Sequence, residues 1–312
     1  MFFILKRIAA AIPTLLGVTI VLFIALRMLP GDPVAVILGS APATPEVEAA
    51  LREQFGLNKP IWQQYLDYLG NALTFDFGQS YSTRDSVTNM ISEQIVPTLQ
   101  LALAAAAVSA VSGIIFGSLA AMYRGRWPDI MIRVLSLINT STPSFWVGLL
   151  LIMLFSFTLN WFPASGSGDL STLVLPAVAL GLSAGGTVAR LVRNSVIDVL
   201  GENFVAALHA KGLKQQVIVL KHVLRNAIIP TVTTVTIVGL QLGALVAGAV
   251  IVEAVFSRQG LGQMLVQGIG ANDFPVVQGV VLVIAMIYIL INIVVDVSYA
   301  YIDPRIRRSL NK

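Results

Sequence analysis

RLVRNSVIDVLGENFVAALHAKGLKQQVIVLKHVLRNAIIP, residues Arg190 to Pro230, is the stretch on which the reading of this chain turns. It lies between two charge-free apolar runs and carries Arg190, Arg193, Lys211, Lys214, Lys221 and Arg225 against Asp198 and Glu202. A basic loop between apolar runs belongs on the cytoplasmic side of a membrane, because Lys and Arg are retained there. Val205, Leu208 and Leu213 stand beside the small residues Ala206, Ala207 and Ala210; after Gly212, apolar positions resume at Val217, Leu220 and Leu224. Those spacings of three and four predict two short amphipathic helices with a turn at Gly212. They would offer a small-residue surface to something outside the membrane.

The rest of the chain supports a membrane reading. Of its 312 residues 56% are hydrophobic and 12% charged, with a mean hydropathy of +0.82; a soluble domain carries roughly 25% charged residues. Charge-free windows lie between Arg7 and Arg27, Pro97 and Arg124, Arg133 and Asp169, Asp169 and Arg190, Arg225 and Glu253, and Asp273 and Asp296. Each approaches or exceeds the ~20 residues a helix needs to cross the hydrocarbon core. Six spans are therefore expected in an all-α polytopic protein. The first run is read as a retained span rather than a cleaved signal, since it ends in Arg27 and LPGDP instead of small residues.

Charge placement sets the expected topology. With the amino terminus inside, the cytoplasmic segments hold Lys6, Arg7, Arg124, Arg126, Arg133, the loop cations, Arg305, Arg307, Arg308 and Lys312. Outside fall only Arg52, Lys59, Arg84 and Arg258, with most of the acids. That bias puts both termini in the cytoplasm. The expected organisation is a first span at residues 1–29, an external helical segment at 30–97, a five-helix core at 98–302 that includes the cytoplasmic loop 190–228, and a cytoplasmic tail at 303–312.

Within the external segment, Thr44 and Pro45 start a helix whose apolar face is Val47, Leu51 and Phe55 and which Gly56 ends. A second, after Pro60, carries Ile61, Tyr65, Leu69 and Leu73. Both have an apolar side to bury, so the segment is expected to cap the outer mouth of the bundle or to lie at the interface. The second span, Thr98 to Tyr123, is rich in Ala, Ser and Gly and is expected in the interior. The third contains Asn139-Thr140-Ser141-Thr142-Pro143-Ser144, a polar cluster with a proline, and the fifth contains Gln241. Irregular or polar groups at membrane depth are tolerated facing protein or a water path, so Asn139, Thr142, Ser144 and Gln241 are the candidate pathway residues. Glu253 to Pro275 is read as an external glycine-rich loop, and Asp296 as an acid paired with Arg7 or Arg305.

Several chemistries are excluded. The chain has no cysteine and only His209 and His222, so a disulfide, a thiolate metal site and a multi-histidine site are all out of reach. No cofactor or metal is expected. No phosphate loop, dinucleotide fingerprint, H-E-x-x-H or G-x-S-x-G occurs, so the chain has no ATPase or hydrolase motif of its own. Its net charge of +4 follows the membrane sides rather than forming a nucleic-acid surface. The spans lack the ionisable groups of an ion-coupled carrier.

At Ala210-Lys211-Gly212, His222-Val223-Leu224-Arg225-Asn226-Ala227 and Ile229-Pro230 the chain resembles the cytoplasmic "EAA" loop of binding-protein-dependent ABC importer permeases, and more narrowly the dipeptide/oligopeptide/nickel permease family. Leu29-Pro30-Gly31-Asp32-Pro33, Asp76-Phe77-Gly78, Pro97-Thr98-Leu99, Pro143-Ser144-Phe145-Trp146, Pro163-Ala164-Ser165-Gly166, Gly260-Leu261-Gly262, Asp273-Phe274-Pro275-Val276-Val277-Gln278-Gly279 and Asp303-Pro304-Arg305 follow in the family's order. The chain departs from the pattern at Ala206-Ala207-Leu208, at His209 in place of a common arginine, and at Gln259 in place of a proline. The resemblance implies a permease subunit in the bacterial inner membrane that pairs with a homologous second permease, two cytoplasmic ATP-binding subunits and an external solute-binding protein. ATP hydrolysis would then belong to the partners. It further implies that Val205, Ala206, Ala207, Ala210, Lys211, Gly212 and Leu213 form the ATPase docking element, and that the solute is a di- or oligopeptide, or a nickel chelate, glutathione or an opine. The competing expectations are a self-sufficient secondary carrier and a structural membrane scaffold.

Overall fold

A computed structural model describes residues 2–28, 34, 38, 44–228 and 232–302. Regular structure among them is helical, apart from an isolated antiparallel bridge between Gln79 and Ser86. In order come α1 (Phe2–Met28), α2 (Pro45–Gln54), α3 (Ile61–Leu73), α4 (Val87–Met122), α5 (Trp127–Ser141) and α6 (Ser144–Leu151), which continues as a π-helix (Ile152–Thr158). Then follow α7 (Leu170–Leu200), α8 (Asn203–Ala210) and α9 (Gln215–Val217), a π-helical stretch (Ile218–Val223) running into α10 (Leu224–Ile228), α11 (Val232–Val255), α12 (Leu261–Gly270) and α13 (Phe274–Ile302). Helices α1, α4, α7 and α13 are long and apolar enough to cross a membrane, and the bent pair from Trp127 to Thr158 makes a fifth if counted as one span. Helix α11 has 24 residues, of which the part from Gly243 to Val255 registers as a shorter apolar helix.

The chain divides into two compact units. One comprises residues 1–4, 99–258 and 288–312, the other residues 5–98 and 259–287. In the first, α4 and α7 approach so closely that side chains are excluded: a Cβ on Gly117 would lie 2.6 Å from the Ala189 carbonyl oxygen, and one on Gly181 2.5 Å from that of Ala105. The small residues of both helices are therefore packing positions. Gly181→Val should lower the melting temperature of the detergent-solubilised chain, since overpacking costs about 1 to 3 kcal/mol. Gly70→Ala, where the new Cβ meets nothing within 4 Å, should leave the melting temperature unchanged or raise it.

In the second unit, Thr44 and Pro45 begin α2 and Gly56 (φ +63°) ends its chain direction, as the local turn chemistry requires. Asp273 ties the hairpin after α3 to the start of α13. Its carboxylate accepts hydrogen bonds from the Ser80 hydroxyl (2.5 Å) and from the Tyr81 (3.1 Å) and Ser82 (3.2 Å) amides. Burial, reinforced by the Asp273 charge and opposed by Arg27, pushes the Tyr81 phenol up to about 12. A cluster of Phe77, Val87, Ile91, Leu261, Val276 and Val280 fills the centre of this unit.

Four expectations need revision. The second long helix begins at Val87, so the boundary expected at residue 97 falls within it and Pro97 is an interior proline. The third span starts at Trp127, ahead of the Arg133 that bounded its window, and at the proline-containing polar cluster it breaks at Thr142-Pro143 and turns by 107°. Proline lacks the amide that would continue the ladder and disfavours helix in the residue before it; Thr142 is accordingly extended (φ −93°, ψ 130°). The segment read as the fourth span and the first part of the loop is one helix, α7, through Leu200. The glycine-rich loop contains α12, in which Gly268 makes room for Val276 and Val277 rather than loosening the chain. Asp296 lies in α13, but its side chain and Arg305 fall outside the described residues.

Candidate functional site

The loop that opened the sequence reading forms α8, a turn, and the α9 to α10 segment. The turn is built by Gly212 at φ +77°. Its amide donates to the His209 carbonyl (2.9 Å) and the Leu213 amide reaches back to that of Leu208 (3.3 Å), the paired bonds of a Schellman helix end. Leu208 and Leu213 both border the same hydrophobic cluster, which supplies the apolar contact that accompanies this motif. Gly212 is thus required by a left-handed backbone that a residue with a Cβ occupies only at a cost.

Anchoring comes from one face. Val205, 2% exposed, packs in a cluster with Val192 and Val196 of α7 and with Ile218, Val219 and Val223 of the π-helical stretch. Of the loop residues singled out from sequence, Val205 therefore faces the chain's own core and Leu213 is half-buried at its edge. Ala206, Ala207, Ala210, Lys211 and Gly212 are exposed. They make a surface of small side chains on a helix whose opposite side is fixed.

A carboxylate that sequence reading passed over holds the root of this assembly. Asp129, in the first turn of α5 and 1% exposed, accepts from Arg193 of α7 through Nε (2.7 Å) and Nη2 (2.9 Å), from the Gly125 amide (2.9 Å), and lies 3.3 Å from Arg133 Nε. The two parallel bonds from one guanidinium fix direction as well as distance. Asp129 was hidden among Arg124, Arg126 and Arg133, where counting charge by side submerges a lone acid, and its partner stands 64 residues on.

The candidate pathway residues are brought together in part. Ser144, at the start of α6 just after the bend, lines a cavity of about 250 Å³ with Ser183 and Ala184 of α7 and Ala244 and Gly248 of α11. The Asn139 side-chain amide donates to the Leu182 carbonyl, one residue from that lining. Thr142 spends its hydroxyl on the Ile138 carbonyl (2.8 Å) within its own helix. Gln241 sits in α11, about one turn before Ala244, and its side chain falls outside the described residues. No group of three or more metal-binding side chains occurs among the described residues.

Long apolar helices, one pair of them bent, thus accompany an exposed helical hairpin with a small-residue surface. The fold is similar to that of the inward-facing MetNI methionine ABC transporter: TM-score 0.55, 23% identity, over 69% of this chain and 96% of that one. Residues 113–308 match the family described as binding-protein-dependent transport system inner membrane component, and residues 1–102 its N-terminal membrane component. Over 98% of its length the chain is 39% identical to 98% of the di/tripeptide transport system permease protein DppB of Pseudomonas aeruginosa (strain UCBPP-PA14). It is also 40% identical to the glutathione transport system permease protein GsiC of Escherichia coli K12, again over 98% of both chains. The chain belongs to the binding-protein-dependent transport system inner-membrane component family. It is a multi-pass permease subunit of the bacterial inner membrane.

Proposed function

We propose that this permease subunit carries di- or tripeptides or a peptide-like solute such as glutathione, as part of an ATP-driven importer with a homologous second permease, two cytoplasmic ATPases and an external binding protein. Six spans with both termini in the cytoplasm belong to this reading, because the charge bias of the chain is one-sided. The observation that carries the coupling role is the exposure of Ala206, Ala207 and Ala210 on a helix clamped from behind by Val205. Small side chains let another subunit's backbone come close, and a rigid base passes the resulting motion to α7 instead of absorbing it. The exposed Lys211, Lys214, Lys221 and Arg225 hold the hairpin at the anionic inner leaflet. Asn139, Thr142, Ser144 and Gln241 are assigned to the translocation route. Support for this comes from the break in the helix beside Ser144 and the cavity it lines.

Two measurements check the topology and the route. In this cysteine-free chain, a cysteine at exposed Asn58 should react with an impermeant maleimide only from outside, and one at exposed Gln215 only from inside; the opposite pattern would overturn the six-span arrangement. Ser144→Leu should fill the small cavity and lower uptake severalfold with assembly intact. Unchanged uptake would remove Ser144 from the pathway.

A further inference from the structure

The external helix α3 has three faces, and the position of one is fixed by contacts within its own unit. One face packs on α1. Tyr65 bonds through its hydroxyl to Thr19 Oγ1 (3.0 Å) and meets the Phe23 ring edge-on (centroids 5.2 Å), while Arg27 donates to the Gln64 side chain and lies 3.8 Å over Phe23. A second face holds Gln63, Asp67 and Asn71. Trp62, Leu66, Leu69 and Leu73, at helical spacings of four and three, form the third. Trp62, Leu66 and Leu73 are 65%, 55% and 84% exposed.

The depth of this third face follows from its neighbour. Helix α1 is a membrane-crossing candidate from Ala9 to Met28, and from Thr19 to Met28 it rises about 13 Å at ~1.5 Å per residue. That is nearly half of a hydrocarbon core about 30 Å thick. A helix whose tyrosine reaches Thr19 and whose glutamine reaches Arg27 lies beside the terminal turns of the span, not above them. At that level α1 itself exposes Val21 and Ile24, so the apolar stripe of α3 continues a lipid-facing surface. Water there would leave the three large apolar side chains of Trp62, Leu66 and Leu73 solvated; lipid covers them at no cost in unsatisfied polar groups, because the backbone bonds of α3 are internal to the helix. Tryptophan is enriched at this boundary, where an amphipathic ring meets both phases.

We propose that α3 is an interfacial helix embedded in the leaflet at the carboxyl end of α1, with Trp62, Leu66, Leu69 and Leu73 in lipid and Gln63, Asp67 and Asn71 toward water. The external segment is then anchored to the bilayer beside the first span and does not stand free to meet a soluble partner with this face. The assignment rests on α1 crossing the membrane and is independent of the solute carried.

Site-directed spin labelling tests it in the assembled complex, reconstituted in liposomes with cysteine-free partner subunits. Nitroxides placed singly at Trp62, Leu66 and Leu73 should collide several-fold more with oxygen, which concentrates in lipid, than with a water-soluble nickel chelate. Labels at Gln63 and Asn71 should show the reverse. Nickel-dominated collisions at Leu66 and Leu73 would mean that the face is in water, and exclusion of both reagents there would mean that another protein covers it. Either result overturns the proposal. Failure of transport assays would leave it standing, so it can be judged apart from the proposed function.

Discussion

Asp129→Ala should cost this protein about 3 to 5 kcal/mol of stability, the loss typical of breaking a buried ion pair on one side. The carboxylate is 1% exposed and serves Arg193 through two hydrogen bonds and the Gly125 turn through a third. Its removal leaves the Arg193 side chain, itself 17% exposed, without its partner. Arg133→Ala should cost less than about 1 kcal/mol, because that side chain is half exposed and its contact is screened. Paired replacement by leucine at positions 129 and 193 should recover much of the single-variant loss, since the penalty comes from the stranded charge rather than the absent attraction. Thermal melts of the three variants in detergent check the series. Wild-type stability in Asp129→Ala would show that the pair clamps nothing.

The second large effect falls on function rather than folding. Gly212→Val introduces a β-branched residue at φ +77°, where a left-handed backbone costs an ordinary residue roughly 1 to 2 kcal/mol and a branched one more. A Cβ there meets nothing within 4 Å, so the cost is purely backbone and is relieved by remodelling the turn. The Schellman bonds of His209 and Leu208 would be lost and α8 would change direction. Solute-stimulated ATP hydrolysis in the reconstituted complex should fall at least tenfold while the subunit still inserts and assembles. Gly212→Asn, whose side chain tolerates the left-handed region, should retain much of the activity. Ala207→Glu should match Gly212→Val by a different route, adding bulk and charge to the exposed small-residue face. Normal coupling in both would remove the docking role from this hairpin.

What could be read from the sequence was what local chemistry encodes. Thr44-Pro45, Gly56 and Pro60 bracket α2 and α3 because caps, prolines and left-handed glycines act within a few residues. Gly212 was legible for the same reason. The break after Thr142 was visible only as a proline in an apolar run, and its angle of 107° depends on what α5 and α6 pack against, which no local signal carries. The glycines of α12 read as a loop because a glycine chosen for close packing and one chosen for flexibility look alike in a single sequence. Val205 was grouped with the small docking residues of the loop, because its burial is set by Val196 and Ile218 on neighbouring elements, which its local spacing does not encode. The Asp129 to Arg193 clamp was missed because it joins residues far apart in the chain.

The central claim is that this chain moves its solute only as the membrane subunit of an ATP-driven assembly. Uptake of a labelled dipeptide or of glutathione into proteoliposomes tests it most directly, with the chain present either alone under an ion gradient or together with its sister permease, both ATPases and the binding protein. Uptake of at least one of these solutes is predicted in the full assembly with ATP, and none when ATP or any partner is withheld. Accumulation by this chain alone, driven by an ion gradient, would contradict it.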